Sequence, residues 1–275
     1  MTNKKKIELE FLKKIQVNVL STFGHCGIDH LHSLLDSHKD LLIIPAISIF
    51  RILELAKIDT RWDSKKIAKR LLRTLYKTKY VDTERRKFIF SLNEKKKFER
   101  ELIFALKYFN KEKFHKKFLL SIHFAYCKIK KKNFFQYKSI LVHEHLPWHL
   151  GKYKEIFKSK ILIILRNPHA SLAGSLKSFR NILNYVSSYN FELLIFTFLS
   201  AERELSKISI NKFIVLNEEL NLNTKKTLTK ICKFLNINFQ KSCLVSTLQG
   251  KKWNGETAYK NSKFLLDKNY YSLKE

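Results

Sequence analysis

A short turn between residues 24 and 29 contains the residues with the clearest chemical potential. Gly24 and Gly27 allow the backbone to turn tightly and to approach a ligand closely. The β-branched residues Val17 and Val19 lie in an extended run before the turn, and leucines at helical spacing follow it. A strand, a glycine turn and a helix together direct backbone N–H groups at one point, which suits a phosphate. The alternative is an ordinary strand-to-helix turn, because the full pattern G-x-x-x-x-G-K-[ST] is absent.

Further polar residues follow apolar runs that are typical of strands. The runs Ile140–Val142, Ile161–Leu165 and Phe213–Leu216 are each followed by polar side chains: His143 to His145, Arg166 and Asn217. Strands that alternate with helices predict an α/β fold with a central, mainly parallel β-sheet flanked by helices. In such sheets the ligand binds at the carboxyl ends of the strands. The residues at these ends, which include Gly24, are therefore expected to converge on one site.

The middle of the chain has a helical pattern. Three apolar stripes at helical spacing predict three amphipathic helices whose apolar faces pack in the core: Ile67, Leu71, Leu72 and Leu75; Phe98, Leu102, Leu106 and Phe109; and Phe114, Phe118, Ile122 and Tyr126. No internal repeat or linker divides the chain. We therefore predict a single domain over residues 1–275 with a helical insertion over residues 46–138.

The composition gives the chain a formal net charge of +30 over 275 residues, and 45% of the residues are hydrophobic. The hydrophobic fraction supports a sizeable core and argues against global disorder. The charge favours an anionic partner such as a nucleotide, a nucleic acid, an acidic membrane face or a glycan. The alternative is a compositional bias with solvated lysines, since the lysines are spread along the chain.

Several classes of protein are disfavoured by the sequence. No stretch approaches the roughly 20 apolar residues of a membrane span. The basic N-terminus lacks an apolar segment typical of a secretory signal. The four cysteines show no C-x-x-C spacing, which predicts buried, reduced thiols in a cytoplasmic protein.

The motifs taken together resemble the sulfotransferase family, whose donor is 3′-phosphoadenosine 5′-phosphosulfate (PAPS). Four segments match family motifs in the family's order: Gly24–Asp36 the 5′-phosphosulfate loop, Ile161–Asn181 the 3′-phosphate motif, Phe213–Ile237 a later strand–helix element, and Gly250–Ala258 a C-terminal segment of bacterial members. The resemblance implies a P-loop nucleotide-binding-like fold. It leaves the middle helices unmatched, as is expected of the acceptor-binding side.

The resemblance also implies which residues bind PAPS. The 5′ side of the donor would lie against the loop: Gly24, His25, Cys26, Gly27, Ile28 and Asp29. The 3′-phosphate would contact Arg166, Ser175, Lys251 and Lys252. Arginine is suited to bidentate phosphate contact, and the alternative for Arg166 is a strand-end arginine paired with a carboxylate. No metal is expected in this family.

The loop and the 3′ site depart from the family pattern. His25 replaces the basic residue of the loop, and Ile28 and Asp29 replace a pair of threonines. A carboxylate at position 29 should repel an anionic donor unless it faces away, as a helix-start residue bonding backbone N–H groups would. The family's serine falls on Gly174, with Ser175 next to it.

The group that takes the acceptor's proton is sought in the stretch from His143 to His145. His145 aligns with a lysine of the family and ranks first, Glu144 second as a group that orients it, and His143 third. The alternative is that alternate residues of the strand end point to opposite faces, which leaves only one of the two histidines in the site. His25 is a further catalytic candidate. Three other histidines are interpreted as structural or surface residues: His32, His123 and His149.

The sequence therefore favours a PAPS-dependent sulfotransferase that acts on a carbohydrate or another small acceptor. A catalytically impaired relative that binds a nucleotide or a glycan is the alternative. A kinase is disfavoured because the Gly-Lys-Ser/Thr element and obvious magnesium ligands are missing. A nucleic-acid binder would need basic and aromatic residues on one face, for which Phe134 and Phe135 beside Lys130–Lys132 are the best local candidate. No specific nucleic acid is expected as a partner, and the charge is compatible with peripheral contact with an anionic membrane.

Overall fold

The computed structural model describes residues 3–22, 26–77, 86–174 and 211–254, together with residues 192, 195, 196, 199, 200, 202–204, 206 and 207. Five of the described strands form one sheet in the order β2-β3-β1-β4-β5. They are β1 (Gln16–Thr22), β2 (Leu41–Leu42), β3 (Ser139–Glu144), β4 (Ile161–Leu165) and β5 (Lys212–Leu216). All neighbouring pairs in this sheet are parallel, so the carboxyl ends lie along one edge. The predicted α/β fold with a parallel sheet is confirmed.

The described helices alternate with these strands. They are α1 (Asn3–Lys14), α2 (Ile28–Leu35), α3 (Ile49–Ala56), α4 (Ser64–Lys77), α5 (Leu92–Tyr108), α6 (Phe114–Ile129), α7 (Leu150–Phe157), α8 (Asn217–Leu222) and α9 (Thr224–Phe234). A further helical segment covers residues 168–174. Helices α3 to α6 lie between β2 and β3 in the chain, and the three apolar stripes correspond to α4, α5 and α6. The start of α5 is fixed by a capping box, in which Ser91 and Glu94 each accept the other's backbone N–H.

The sheet separates two apolar cores. Val17 and Val19 of β1 face a core that also contains residues of α1 and of α3 to α7. Leu20 faces the opposite core, to which α2 and α9 contribute. This alternation follows the two-residue period of a strand, and helices on both faces bury β2, β3 and nearly all of β1 and β4, while most of the edge strand β5 is exposed or half-buried.

Gly27 is the N-cap of α2 and has a φ of +86°, a backbone conformation that glycine adopts readily. A Cβ atom at this position would lie 2.3 Å from Oδ1 of Asn217, the first residue of α8. The turn before α2 is therefore packed directly against the helix that follows β5. Glycine is required here by both the backbone conformation and the lack of space.

The carboxylate of Glu144, the last residue of β3, is fully buried and surrounded by donors. It accepts hydrogen bonds from Ser48 Oγ at 2.5 Å, from the backbone N–H of Leu146 at 3.0 Å and from Tyr153 OH at 3.4 Å. His149 Nδ1 lies 3.1 Å from the same carboxylate. A buried charge is tolerated when it is paired and hydrogen-bonded, so this network fixes the end of β3 against α3 and α7.

His149 is buried between two carboxylates, since its Nε2 lies 2.8 Å from Glu54. Burial alone disfavours the imidazolium ion, but the hydrogen bonds and charges of Glu144 and Glu54 outweigh it and raise the pKa of His149. By contrast, His123 on α6 is fully buried without a carboxylate partner in the described part of the chain, and burial lowers its pKa to about 4. Both are structural residues, as the sequence predicts.

Two other expectations concern membrane-spanning helices and the thiols. Within the ranges described above, no helix combines the length and the apolar character that a bilayer crossing requires. The four cysteines are free and buried, as predicted. Burial raises the pKa of Cys127 and of Cys232 to about 12, so these thiols are inert at neutral pH.

Three glycines that differ in φ and in the space around them allow a graded test of the turn before α2: Gly27, Gly250 and Gly151. We expect Gly27→Ala to lower the free energy of unfolding by more than about 2 kcal/mol, because it meets both the positive φ and the Asn217 side chain. Gly250→Ala, which has a positive φ but open space, should cost about 1 kcal/mol. Gly151→Ala in α7 should be neutral or stabilising by up to about 1 kcal/mol. Urea unfolding measures all three, and equal losses for Gly27→Ala and Gly250→Ala would contradict the packing of Asn217 against the turn.

The charge of His149 predicts a pH-dependent contribution to stability. Because its pKa is raised in the folded state, its contribution is complete below the value of an unfolded histidine, about 6.5, and is lost as the pH rises through the folded value. The difference in unfolding free energy between the wild type and His149→Gln should therefore shrink from pH 6 to pH 9.

His123→Gln is the matched control for this experiment. Burial lowers the pKa of His123, so the folded state keeps it neutral while the unfolded histidine still gains a proton below about pH 6.5. The stability of the wild type relative to His123→Gln should therefore increase from about pH 6 and level off above about pH 7.5, the opposite direction to His149→Gln. A profile for His149→Gln that is flat or follows the direction of His123→Gln would show that His149 is not charged between its two carboxylates.

Candidate functional site

Three of the predicted site residues lie outside the described residues: Gly24, His25 and Ser175. Their roles remain predictions. The other predicted residues lie at or near the carboxyl ends of the strands or in the elements that follow them.

The end of β3 brings three histidines together. His143 Nε2 lies 2.8 Å from His145 Nε2, and His143 Nδ1 lies 3.2 Å from Nδ1 of His32 on α2. His143 and His32 are buried, and His145 is half-buried. The three rings thus form a connected row that leads from the α2 core outward.

Arg86 settles the direction of the hydrogen bonds in this row. Its Nη2 lies 3.3 Å from His145 Nε2, and a guanidinium group is only a donor. His145 Nε2 must therefore accept, which makes His143 Nε2–H the donor of the 2.8 Å bond. His143 Nδ1 then accepts from Nδ1–H of His32. With neutral imidazoles, this assignment gives each of the two ring–ring contacts one donor and one acceptor.

Asp29 faces this row. It lies in the first turn of α2, and its Oδ1 is 3.7 Å from His143 Nε2. The N-cap of α2 is Gly27, so Asp29 is the second residue of the helix. The direction of its Oδ1 toward His143 does not support the alternative in which Asp29 faces away from the site.

The strand end also corrects the expectation that only one of His143 and His145 would reach the site. Residues two apart on an extended chain share a face, and both rings lie on the α2 side. Glu144 is the residue on the opposite face, where its carboxylate is occupied by the buried network with Ser48, Tyr153 and His149. The Glu144 side chain thus positions the strand end, and within the described part of the chain its carboxylate forms no hydrogen bond or ion pair with the ring of His145.

Cys26 and Ile28 lie in the turn and at the start of α2. The Sγ of Cys26 lies 3.5 Å from Oγ of Ser171, in the helical segment 168–174 that follows β4. The Ile28 side chain is buried in the core between the sheet and α2. Only the backbone of Ile28 can therefore face a ligand. Together with the Gly27–Asn217 contact, the turn touches the elements after β4 and β5.

Arg166 is the first residue after β4, as predicted. Its side chain is half-buried, and its Nε is buried without a hydrogen-bond partner among the described residues. No carboxylate in the described ranges forms an ion pair with it. The alternative that Arg166 is a strand-end arginine paired with a carboxylate has no support there. A buried guanidinium N–H that has no acceptor among the described residues is suited to bind an anionic ligand.

Lys251 and Lys252 are exposed on a two-residue hairpin formed by β6 (Thr247–Leu248) and β7 (Lys251–Lys252). Asp36, just after α2, accepts hydrogen bonds from Thr247 Oγ1 at 2.9 Å and from the backbone N–H of Gly250 at 2.8 Å. The hairpin carrying the C-terminal motif is thereby held against the helix of the first motif.

The hairpin is also tied to the segment that carries Arg86. Gln249 donates to the backbone carbonyl of Lys87 at 2.8 Å and accepts from the N–H of Ile89 at 3.3 Å. Sequence reasoning missed both Arg86 and His32 as parts of the site. Arg86 lies in a lysine- and arginine-rich stretch that has no motif, and only the fold brings it to His145. His32 lies one helical turn after Asp29, a spacing that shares a helix face and was a usable signal.

Comparisons with known proteins agree with the fold described above. No protein-family profile matches the chain, and a search of curated proteins finds no relative. Among solved structures, the sulfotransferase domain from the curacin biosynthetic pathway has a TM-score of 0.54 at 11% sequence identity, covering 93% of this chain and 89% of that domain. The sulfotransferase domain from the Synechococcus PCC 7002 olefin synthase has a TM-score of 0.52 at 13% identity, covering 95% of this chain and 89% of that domain. At this identity the likeness concerns the fold alone, and the chain has the fold of these sulfotransferase domains.

Proposed function

We propose that the protein is a PAPS-dependent sulfotransferase that transfers a sulfuryl group to a hydroxyl or amine of an acceptor. The observation that carries the proposal is the likeness to two sulfotransferase domains over nearly the whole chain. Fold alone does not decide function, so the proposal also depends on the residues at the strand ends. These residues occur in the order of the four sulfotransferase-like motifs.

The donor site has three parts in this proposal. The turn from Gly24 to Asp29 holds the 5′ side through its backbone N–H groups and the start of α2. Arg166 holds the 3′-phosphate, which is supported by its buried, unpartnered Nε in the described part of the chain. The exposed Lys251 and Lys252 add positive charge from the hairpin. Ser175 remains a predicted contact of the same phosphate.

In the transfer step the acceptor oxygen attacks sulfur, the bond from sulfur to the phosphate oxygen breaks, and 3′-phosphoadenosine 5′-phosphate (PAP) leaves. The acceptor's proton passes to a base, for which His145 is the first candidate. Its Nε2 carries a lone pair that now accepts from Arg86 and His143. As a base, His145 gives up both contacts: Arg86 moves away to face the departing charge, and His143 changes to its Nδ1–H tautomer, which donates to His32, so that the Nε2 lone pair of His145 can take the acceptor's proton.

The acceptor in this proposal is a small molecule or a glycan that binds on the side of helices α3 to α6. Trp148 follows His145 by three residues and is 44% exposed. An indole in this position offers an apolar surface that part of an acceptor can cover.

A second candidate is a sulfotransferase-like protein that binds a nucleotide or glycan without turnover. Asp29 favours it, because a carboxylate 3.7 Å from His143 Nε2 lies where it opposes an anionic donor. Binding of the donor would distinguish both candidates from a protein that binds no donor. Turnover of the donor would then distinguish the sulfotransferase from the non-catalytic binding protein.

Titration of the protein with PAP, with ADP as the control ligand, tests the donor site. We expect PAP to bind in preference to ADP, and Arg166→Ala to weaken PAP binding by about 10- to 100-fold, the loss of a charge-assisted hydrogen bond. Arg61→Ala is the matched control, since it removes one positive charge from an exposed residue that pairs with Asp59. Its PAP affinity should equal that of the wild type.

Two results of this titration would contradict the proposal. Equal affinity of the folded wild type for PAP and ADP would mean that no 3′-phosphate site exists. Unchanged PAP affinity in Arg166→Ala would remove Arg166 from the site.

Replacement of His145 tests the transfer step. We expect His145→Ala to lower the rate of PAP formation from PAPS, in the presence of hydroxyl-bearing acceptors, by about 10²- to 10⁴-fold, the usual contribution of general base catalysis. The affinity for PAP should stay the same, because His145 is not assigned to the donor. His169→Ala, which changes an exposed histidine in the segment 168–174, is the control. Normal turnover in His145→Ala would exclude it as the base.

A further inference from the structure

Asp29, His143 and His145 place three metal-ligating atoms in one small cluster. One ligand atom from each residue lies within 4.8 Å of the others. The distance from His143 Nε2 is 2.8 Å to His145 Nε2 and 3.7 Å to Asp29 Oδ1. Around a tetrahedral zinc ion with bonds of 2.0–2.1 Å, neighbouring ligand atoms lie about 3.3 Å apart. The two distances from His143 lie on either side of this value, and the third pair of ligand atoms lies within 4.8 Å, so side-chain rotations can bring all three atoms to one ion.

We propose that Asp29 Oδ1, His143 Nε2 and His145 Nε2 bind one divalent transition-metal ion. Two imidazoles with a carboxylate are a ligand set for zinc or iron(II) and do not suit magnesium or calcium, which take oxygen ligands. Three protein ligands leave a coordination position open for water or an anion. The sequence resemblance predicted no metal, and this inference goes beyond the proposed function and does not require it.

The cluster is built on rigid elements. His143 is the fifth residue of β3, and His145 follows the strand by one residue, so the two share a face. Asp29 is fixed in the first turn of α2. The buried Glu144 network holds the strand end from the opposite face. A site on a strand and a helix keeps its ligands in place before the metal arrives.

His32 completes the arrangement as a residue behind the ligands. When His143 Nε2 gives its lone pair to a metal, its ring proton lies on Nδ1 and is donated to Nδ1 of His32, 3.2 Å away. Without a metal the same bond runs in the other direction. With both rings neutral, the change is one of tautomer and no net proton is released. A second hydrogen bond of this kind orients a metal-ligating histidine and raises its basicity.

Arg86 competes with a metal for the same lone pair. Its Nη2 lies 3.3 Å from His145 Nε2, so a metal bound there must displace the guanidinium. The net charge of +30 also disfavours non-specific binding of cations. Binding of one ion per chain would therefore reflect the three ligands and not the general surface.

Calorimetric titration of the metal-free protein with zinc chloride tests the site, and cobalt(II) gives a visible absorption band when its coordination is tetrahedral. We expect one ion per chain and at least about tenfold weaker binding in Asp29→Asn and in His145→Gln. These two residues are half-buried, so their variants avoid the folding risk of replacing the buried His143. Arg86→Ala should bind zinc more tightly than the wild type, because the competing cation is gone.

His169→Gln is the control for binding to surface histidines and should bind zinc like the wild type. The proposal is overturned if the folded wild type binds no zinc, if His169→Gln loses as much affinity as His145→Gln, or if Arg86→Ala binds more weakly. PAP titration of the same metal-free samples keeps the two proposals separate. A folded sample that binds PAP but not zinc contradicts only the metal site. A folded sample that binds zinc but not PAP contradicts only the donor site.

Discussion

The alternation of side chains at the end of β3 is the constraint from which the site follows. Glu144 can be buried only where donors surround it, and these are supplied by Ser48, Tyr153 and His149 on one side of the strand. With Glu144 held there, the pleat of the chain directs its two neighbours to the other side, toward α2. Glu144, a catalytic candidate in the sequence, thus fixes the strand end and orients His143 and His145 toward α2.

The periodic parts of the fold could be predicted from the sequence, and the contacts between distant segments could not. Strands β3, β4 and β5 and helices α4 to α6 carry apolar patterns that identify them directly. Helix α1 was missed because its lysines conceal the two leucines that are buried, Leu9 and Leu12. Arg86 reaches His145 across 59 residues of chain, and no local pattern signals such a contact.

The candidate site combines opposite electrostatic features, and this explains why it supports two proposals. Arg166, Lys251 and Lys252 are suited to an anionic donor. Asp29, His143 and His145 are suited to a cation. A dication held by Asp29 would cancel the charge that opposes the donor, so metal binding is compatible with donor binding. It excludes His145 as the base while the metal is bound, because the metal takes the same Nε2 lone pair.

The strand order has a consequence for how the chain folds. β1 lies in the middle of the sheet, yet its neighbours β3 and β4 come much later, and Ser21 of β1 bonds to Glu144 at a separation of 123 residues. During synthesis from the N-terminus, β1 emerges from the ribosome long before either partner exists. Its apolar faces must therefore wait unpaired for roughly ten seconds at common elongation rates, and such a strand is a natural target for chaperones.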